Sequence, residues 1–136
     1  MAKYKVYNDR LTNILPGAEI GDDTTIGAFT EIGKAVSIGT NCKIQAFVFI
    51  PKGVHIGNGV FIGPSVVFTN DRYPSAKEYG LYEITTVEDD VAIGAGSTIR
   101  CGITLGKGCR IGAGSMVTKD VAPGALVVGN PAREVK

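Results

Sequence analysis

Large apolar residues recur in this chain at every sixth position. Stepping by six from Ile20 meets Ile26, Ile32, Ile38, Ile44, Ile50, Ile56, Ile62 and Phe68. After an interruption the same phase resumes at Val87, then Ile93, Ile99, Leu105, Ile111 and Val117. Two positions before each large residue stands a smaller one, among them Thr24, Thr30, Val36, Cys42, Val48, Ser97, Cys109 and Ser115. Residues i and i−2 point the same way only on a strand. A helix cannot hold this pattern, because its apolar stripe recurs every three to four residues. Each hexad therefore reads as a short strand followed by a corner. Glycine follows the large residue in many of the hexads, including Gly21, Gly27, Gly33, Gly63, Gly94 and Gly112. Its conformational freedom suits a corner there.

Strands this short cannot bury a face alone, so the units must stack as a solenoid. The expected fold class is all-β, with parallel strands coiled round an apolar interior. The 136 residues suit one domain, 1–136. Within it we expect an N-terminal cap at 1–17, coils at 18–69, an extruded loop at 70–86, coils at 87–122 and a C-terminal tail at 123–136.

Other classes are disfavoured by composition. The net charge is +1, which gives no attraction to nucleic acid or to an anionic membrane. No apolar run approaches the roughly 18 residues that span a bilayer. Met1 to Arg10 is polar and carries no apolar signal segment, so a cytoplasmic location is the default expectation. Three cysteines without a CxxC pair argue against a disulfide framework or a zinc site, so no metal is expected. Cys42 and Cys109 occupy the small inward slot, where a thiol serves as a small apolar group. Cys101 lies off that slot.

The hexads resemble those of the hexapeptide-repeat acyltransferases. The resemblance runs from Ala18 to Arg133 and implies a left-handed parallel β-helix with three hexads per coil. About five coils would form a prism roughly 24 Å long at the usual strand spacing. The segment Gly63-Pro64-Ser65-Val66-Val67-Phe68-Thr69-Asn70-Asp71-Arg72-Tyr73-Pro74 is similar to one subgroup. So is Cys42-Lys43-Ile44-Gln45. That subgroup acetylates the amino group of nucleotide-linked 3-amino sugars. Asn70 would then lie beside the sugar amine as the catalytic residue, with Asp71 and Tyr73 holding the sugar. An amide orients an amine without removing a proton from it. The chain departs from the subgroup twice. Ala46 and Phe47 stand where asparagines follow the KIQ segment, and Ile26-Gly27-Ala28-Phe29 stands where a Trp-His-Phe segment is usual.

The resemblance also implies acetyl-CoA as acyl donor, lying along the C-terminal coils between two subunits. Gly94, Ala95, Gly112 and Ala113 would meet its pantetheine arm, since small corner residues let a ligand approach the backbone. The ending Val128-Gly129-Asn130-Pro131-Ala132-Arg133 resembles the G-x-PAR tail of these enzymes. Lys119 and Arg133 are the expected cations for the CoA phosphates. The implied assembly is a homotrimer, which the outward phenylalanines Phe47, Phe49 and Phe61 favour as an apolar patch.

Three functions stay open at this point. One is an N-acetyltransferase acting on a nucleotide-linked amino sugar. Another is an O-acetyltransferase on a sugar or small hydroxyl acceptor, with His55, the single histidine, as general base. The third is a β-helix scaffold without catalysis. Zinc enzymes of this fold take three histidines from two subunits, a set that one histidine per chain does not supply.

Overall fold

A computed structural model describes residues 3–7, 11–78 and 82–136. Tyr79, Gly80 and Leu81 of the expected loop lie outside the described residues. No α-helix is found among the described residues; the chain is a parallel β-helix of the left-handed kind that the repeat fits.

Three faces make the prism. The first stacks Lys5–Val6, Thr25–Ile26, Lys43–Ile44, Phe61–Ile62, Ala92–Ile93, Arg110–Ile111 and Leu126–Gly129, with Ala132–Glu134 added antiparallel at the end. The second stacks Asn13–Ile14, Glu31–Ile32, Phe49–Ile50, Val67–Phe68, Thr98–Ile99 and Met116–Val117. The third stacks Glu19–Ile20, Ser37–Ile38, Val54–Ile56, Thr85–Val87 and Thr104–Leu105, and a bridge from Leu105 to Val121 extends it. Equivalent residues of neighbouring coils are 18 apart, as in the bond from the Cys42 amide to Thr24 Oγ1. At the fourth coil the step widens to 31, as between Asn58 and Asp89. The extra residues leave the prism as a loop between Phe68 on the second face and Thr85 on the third.

Every large residue of the hexad phase except Ile20 is buried, and so is every small one except Ala18. The interior is a single stack of Ile, Val and Leu, with Phe68 as its largest side chain. Buried hydroxyls tie the coils together. Thr24 Oγ1 donates to the Gly39 carbonyl at 2.7 Å and accepts from the Cys42 amide at 3.1 Å. Thr30 does the same with the Gln45 carbonyl and the Val48 amide, and Ser97 with the Gly112 carbonyl and the Ser115 amide. The Cys42 thiol takes the same place, 3.1 Å from the Gly57 carbonyl. Among the described residues no buried side-chain polar atom is left without a partner.

Three expectations need correction. The coils number six rather than five, and the expected cap at 1–17 supplies two strands of the first coil. Ile14 is in phase with Ile20, one hexad earlier, and Val6 takes the equivalent slot on Ile26 after a longer connection. The loop is shorter than 70–86, because Thr85 and Thr86 already pair with the Val54–Ile56 strand and Thr85 fills a small inward slot. The tail at 123–136 adds to the prism, since Leu126 and Val127 pair with Arg110 and Ile111 and bury Val127.

The third correction concerns glycine. The glycines after the large residues do not serve by positive φ. A Cβ on Gly94 would stand 2.5 Å from the Ala113 amide nitrogen, and one on Gly63 2.7 Å from that of Ala95. They are glycine because successive coils approach too closely for a side chain. The left-handed residues come two positions later: Asp23, Phe29, Ala35, Asn41, Phe47, Ser65 and Asp90, with φ between 57° and 62°.

Candidate functional site

The loop leaves the corner between the second and third faces, and Asn70 stands at its neck. Its backbone carbonyl accepts from the Glu83 amide at 3.1 Å, closing the loop where it returns. Its side-chain Nδ2 donates to the Lys52 carbonyl at 3.0 Å, on the same corner one coil earlier. The amide plane is thus held, and its Oδ1 makes no hydrogen bond among the described residues. Two glycines accommodate the return strand. Tyr82 packs over Gly53, where a Cβ would meet its ring at 2.9 Å, and the Glu83 carboxylate lies where a Cβ on Gly102 would stand. The Lys52 ammonium sits 5.1 Å from the Tyr82 ring centroid.

Asp71 and Tyr73 follow Asn70 into the exposed part of the loop. Tyr73 is 82% exposed, and its ring lies 5.7 Å from the Arg72 guanidinium carbon. Arg72 reaches back to Glu83 at 3.9 Å. Arg72 and Glu83 are not legible as a pair in the sequence, because their meeting depends on how the loop closes.

The residues expected for an acyl donor fall on two corners. Gly94, Ala95, Gly112 and Ala113 stack on the corner between the first and second faces; the Gly114 amide bonds the Ala95 carbonyl at 2.8 Å. Ala95 and Ala113 are exposed there. Lys119 lies on the other edge of the second face, on the same corner as the loop. Lys119 and Arg133 line one cavity of about 420 Å³ with Asp120, Val127 and Ala132. Arg133 is carried there by the antiparallel pairing of Ala132–Glu134 with Leu126–Gly129.

His55 is half-buried in the outward row of the third face, paired with Ser37 before it and Thr86 after it. Ser37 Oγ lies 2.8 Å from His55 Nδ1. A cavity of about 480 Å³ opens beside it, lined by Thr86, Glu88, Asp89 and Lys107 among others.

The cysteines are all buried and free. Burial pushes the Cys42 thiol above its ordinary value. Burial, with the nearby Glu88 charge, pushes Cys109 up to about 11. Both are therefore neutral thiols at pH 7, too weakly ionised to act as nucleophiles. Cys101 is fully buried at the corner beneath the loop, and its amide donates to Thr69 Oγ1 at 3.1 Å. Among the described residues no group of three His, Cys, Asp or Glu is placed to hold a metal ion. No helix there is long and apolar enough to cross a membrane.

Similarity to known proteins follows the repeat. A putative acetyltransferase of Schizosaccharomyces pombe is 38% identical over 86 residues, 58% of this chain and 41% of that protein. The acetyltransferase domain of PglB from Neisseria gonorrhoeae, solved with acetyl coenzyme A, matches at a TM-score of 0.84 with 20% identity, over 98% of this chain and 58% of that one. PerB from Caulobacter crescentus, solved with CoA and GDP-perosamine, matches at 0.84 with 19% identity over the same shares, 98% and 58%. WeeI from Acinetobacter baumannii matches at 0.78 with 28% identity, over 92% of this chain and 55% of that one. The chain thus spans little more than half the length of these relatives, or less. Residues 35–70 match the model described as bacterial transferase hexapeptide (six repeats). Residues 17–52 and 84–119, together more than half of the chain, match the hexapeptide repeat of succinyl-transferase, and the chain belongs to this hexapeptide-repeat family.

Proposed function

We propose that the protein is an acetyl-CoA-dependent N-acetyltransferase acting on the amino group of a nucleotide-linked amino sugar. The observation that carries this reading is Asn70, held at the loop neck with its side-chain carbonyl free of hydrogen bonds among the described residues. That oxygen accepts one N–H of the neutral amine and leaves the nitrogen lone pair aimed at the thioester. The amine nitrogen forms a bond to the acetyl carbon, the C–S bond breaks, and the amine proton leaves with CoA as its thiol. Such a step needs positioning more than a base. Asp71 and Tyr73 hold the sugar from the exposed side of the loop.

The donor residues on two corners are reconciled by the face between them. An extended acetyl-CoA with its phosphates at the Lys119–Arg133 cavity and its pantetheine arm lying across the second face, over Thr98 and Met116, toward Gly94, Ala95, Gly112 and Ala113 brings its thioester to the edge away from Asn70 of the same chain, so the amine it meets is the one that the partner's Asn70 holds across the subunit boundary. The fold neighbour PerB was solved with CoA and a nucleotide-linked amino sugar together, which supports this pairing of substrates. Phe49 and Phe61 are 39% and 38% exposed, outward apolar side chains that support a homotrimer with one site at each subunit boundary.

A second reading rests on a specific observation. The Ser37 hydroxyl fixes the His55 ring through Nδ1, leaving Nε2 as a base for a hydroxyl acceptor in the adjoining cavity. The test is a panel of nucleotide-linked amino sugars with acetyl-CoA, read by release of free thiol. Turnover that survives His55→Ala supports the N-acetyltransferase. Turnover only on hydroxyl acceptors, abolished in His55→Ala, supports the second reading. No turnover and no thermal shift with millimolar CoA leaves a scaffold, since bound ligand raises stability by mass action.

A further inference from the structure

The corner between the first and second faces carries one column of equivalent residues. Backbone bonds from Phe29 to Leu11, Phe47 to Ala28, Ser65 to Ala46, Gly96 to Pro64 and Gly114 to Ala95 stack the corners one on the next. The column therefore reads Phe29, Phe47, Ser65, Gly96 and Gly114 in successive coils. All five have positive φ, between 62° and 70°. Glycine adopts this conformation freely, whereas a phenylalanine is strained in it. Two phenylalanines kept in strained positions mark a place where the ring itself is used.

The two rings are stacked, with centroids 4.9 Å apart and planes inclined by 10°. That separation is the strand spacing of the prism, so the rings lie one above the other along its axis. Phe29 covers one face of Phe47. The other face of Phe47 looks along the column toward Ser65, which is small and exposed. Beyond it, a Cβ on Gly96 or Gly114 would meet nothing within 4 Å. The aromatic stack thus ends abruptly above an open shelf.

We infer that Phe47 is a stacking platform for the nucleobase of the acceptor, which lies over Ser65 and continues the Phe29–Phe47 pile. This deepens the proposed function and rests on it. A flat π-system is what the vacant level admits. Charge favours a nucleotide over a neutral ring. The cavity flanking the corner on the first face, about 350 Å³, is lined by Tyr7, Thr25, Lys43, Gln45 and Ala46. Lys43 offers a cation and Gln45 an amide to a diphosphate there. On the second face the corresponding cavity offers the Glu31 carboxylate, which repels one.

The experiment compares the full-length protein with Phe47→Gly, Phe47→Leu, Phe47→Tyr and Lys43→Gln, titrated with UDP, dTDP, GDP, uridine and CoA by calorimetry. Phe47→Gly relieves backbone strain, so it folds. Base stacking removed by truncation weakens binding by about tenfold or more. A loss of that size for the nucleoside diphosphates in Phe47→Gly and Phe47→Leu, retained affinity in Phe47→Tyr and unchanged CoA binding support the platform. Lys43→Gln is expected to weaken UDP and not uridine. Wild-type affinity in Phe47→Leu overturns the inference, because apolar bulk then suffices. So does a loss of CoA rather than nucleoside diphosphate, or a drop in light-scattering mass in Phe47→Gly, which assigns the pair to a subunit interface. The parent reading fails separately: nucleoside diphosphates that bind through Phe47 without acetyl transfer to any nucleotide-linked amino sugar sink the enzyme and leave the platform. Full turnover with nucleoside diphosphate affinity unchanged in Phe47→Gly sinks the platform and leaves the enzyme.

Discussion

The side-chain amide of Asn70 donates to the Lys52 carbonyl at 3.0 Å, joining the first residue of the loop to the coil before it. The bond orients the amide and leaves its oxygen for a ligand. Asn70→Ala removes both, and a misplaced amine costs on the order of 100-fold in rate. The expected outcome is a fall of that size in thiol release, with a melting temperature within a few degrees of wild type. Unchanged turnover would remove Asn70 from the site.

Close stacking of the coils makes Gly94 sensitive and Gly96 tolerant. A Cβ on Gly94 would lie 2.5 Å from the Ala113 nitrogen, while one on Gly96 meets only open space. Gly94→Ala is expected to destabilise by about 1–3 kcal/mol, the usual cost of overpacking. Gly96→Asn keeps a residue that accepts positive φ and is expected to change stability by about 0.5 kcal/mol or less. Urea unfolding of both variants checks the contrast.

Thr24 serves two partners with one hydroxyl, the Gly39 carbonyl and the Cys42 amide. Thr24→Val keeps the shape and leaves both backbone groups buried and unpaired. We expect a loss of about 1–3 kcal/mol. If chemical denaturation finds Thr24→Val as stable as wild type, the hydroxyl is not a tie between the coils.

Alkaline stability follows from Cys109, whose thiol is raised from 9.0 to about 11 by burial and by the Glu88 charge. The folded state holds this proton more tightly than the unfolded chain. Its contribution is therefore fully present below pH ~9, the unfolded value, and is lost as pH rises through about 11. Cys42 shifts in the same direction. The urea midpoint is expected to fall across that window, and Cys109→Ala to flatten part of the fall. A Cys109→Ala profile as steep as wild type would assign the loss to other groups.

Much of this architecture is legible in the hexad phase. Inward slots such as Ile62 and Val66 follow directly, because on a strand alternation decides which side a residue faces. Ile14 was within reach of the same stepping. The rigid spacing of Gly94 and Gly112 was visible too, although its cause was not. Periodicity cannot tell a glycine that must bend from one that must let a neighbouring coil approach. The candidate site was legible less evenly. Asn70 stands where the phase breaks, so the sequence marks it. Phe29 and Phe47 are 18 residues apart in the same slot of their hexads, and that spacing is the signal by which their stacking could have been found.

By itself the sequence determined what lies inside the prism and where the chain leaves it. The inward residues repeat with the strand, and burial of their apolar surface dominates the energy of folding. Only the tertiary structure decided which corners stand above one another. That depends on three hexads closing each coil and on the longer step through the loop, neither of which alternation contains. Corner identity separates Ala95 and Ala113 from Lys119 by a whole face, brings Arg133 to Lys119, and leaves the Phe47 ring facing an open level.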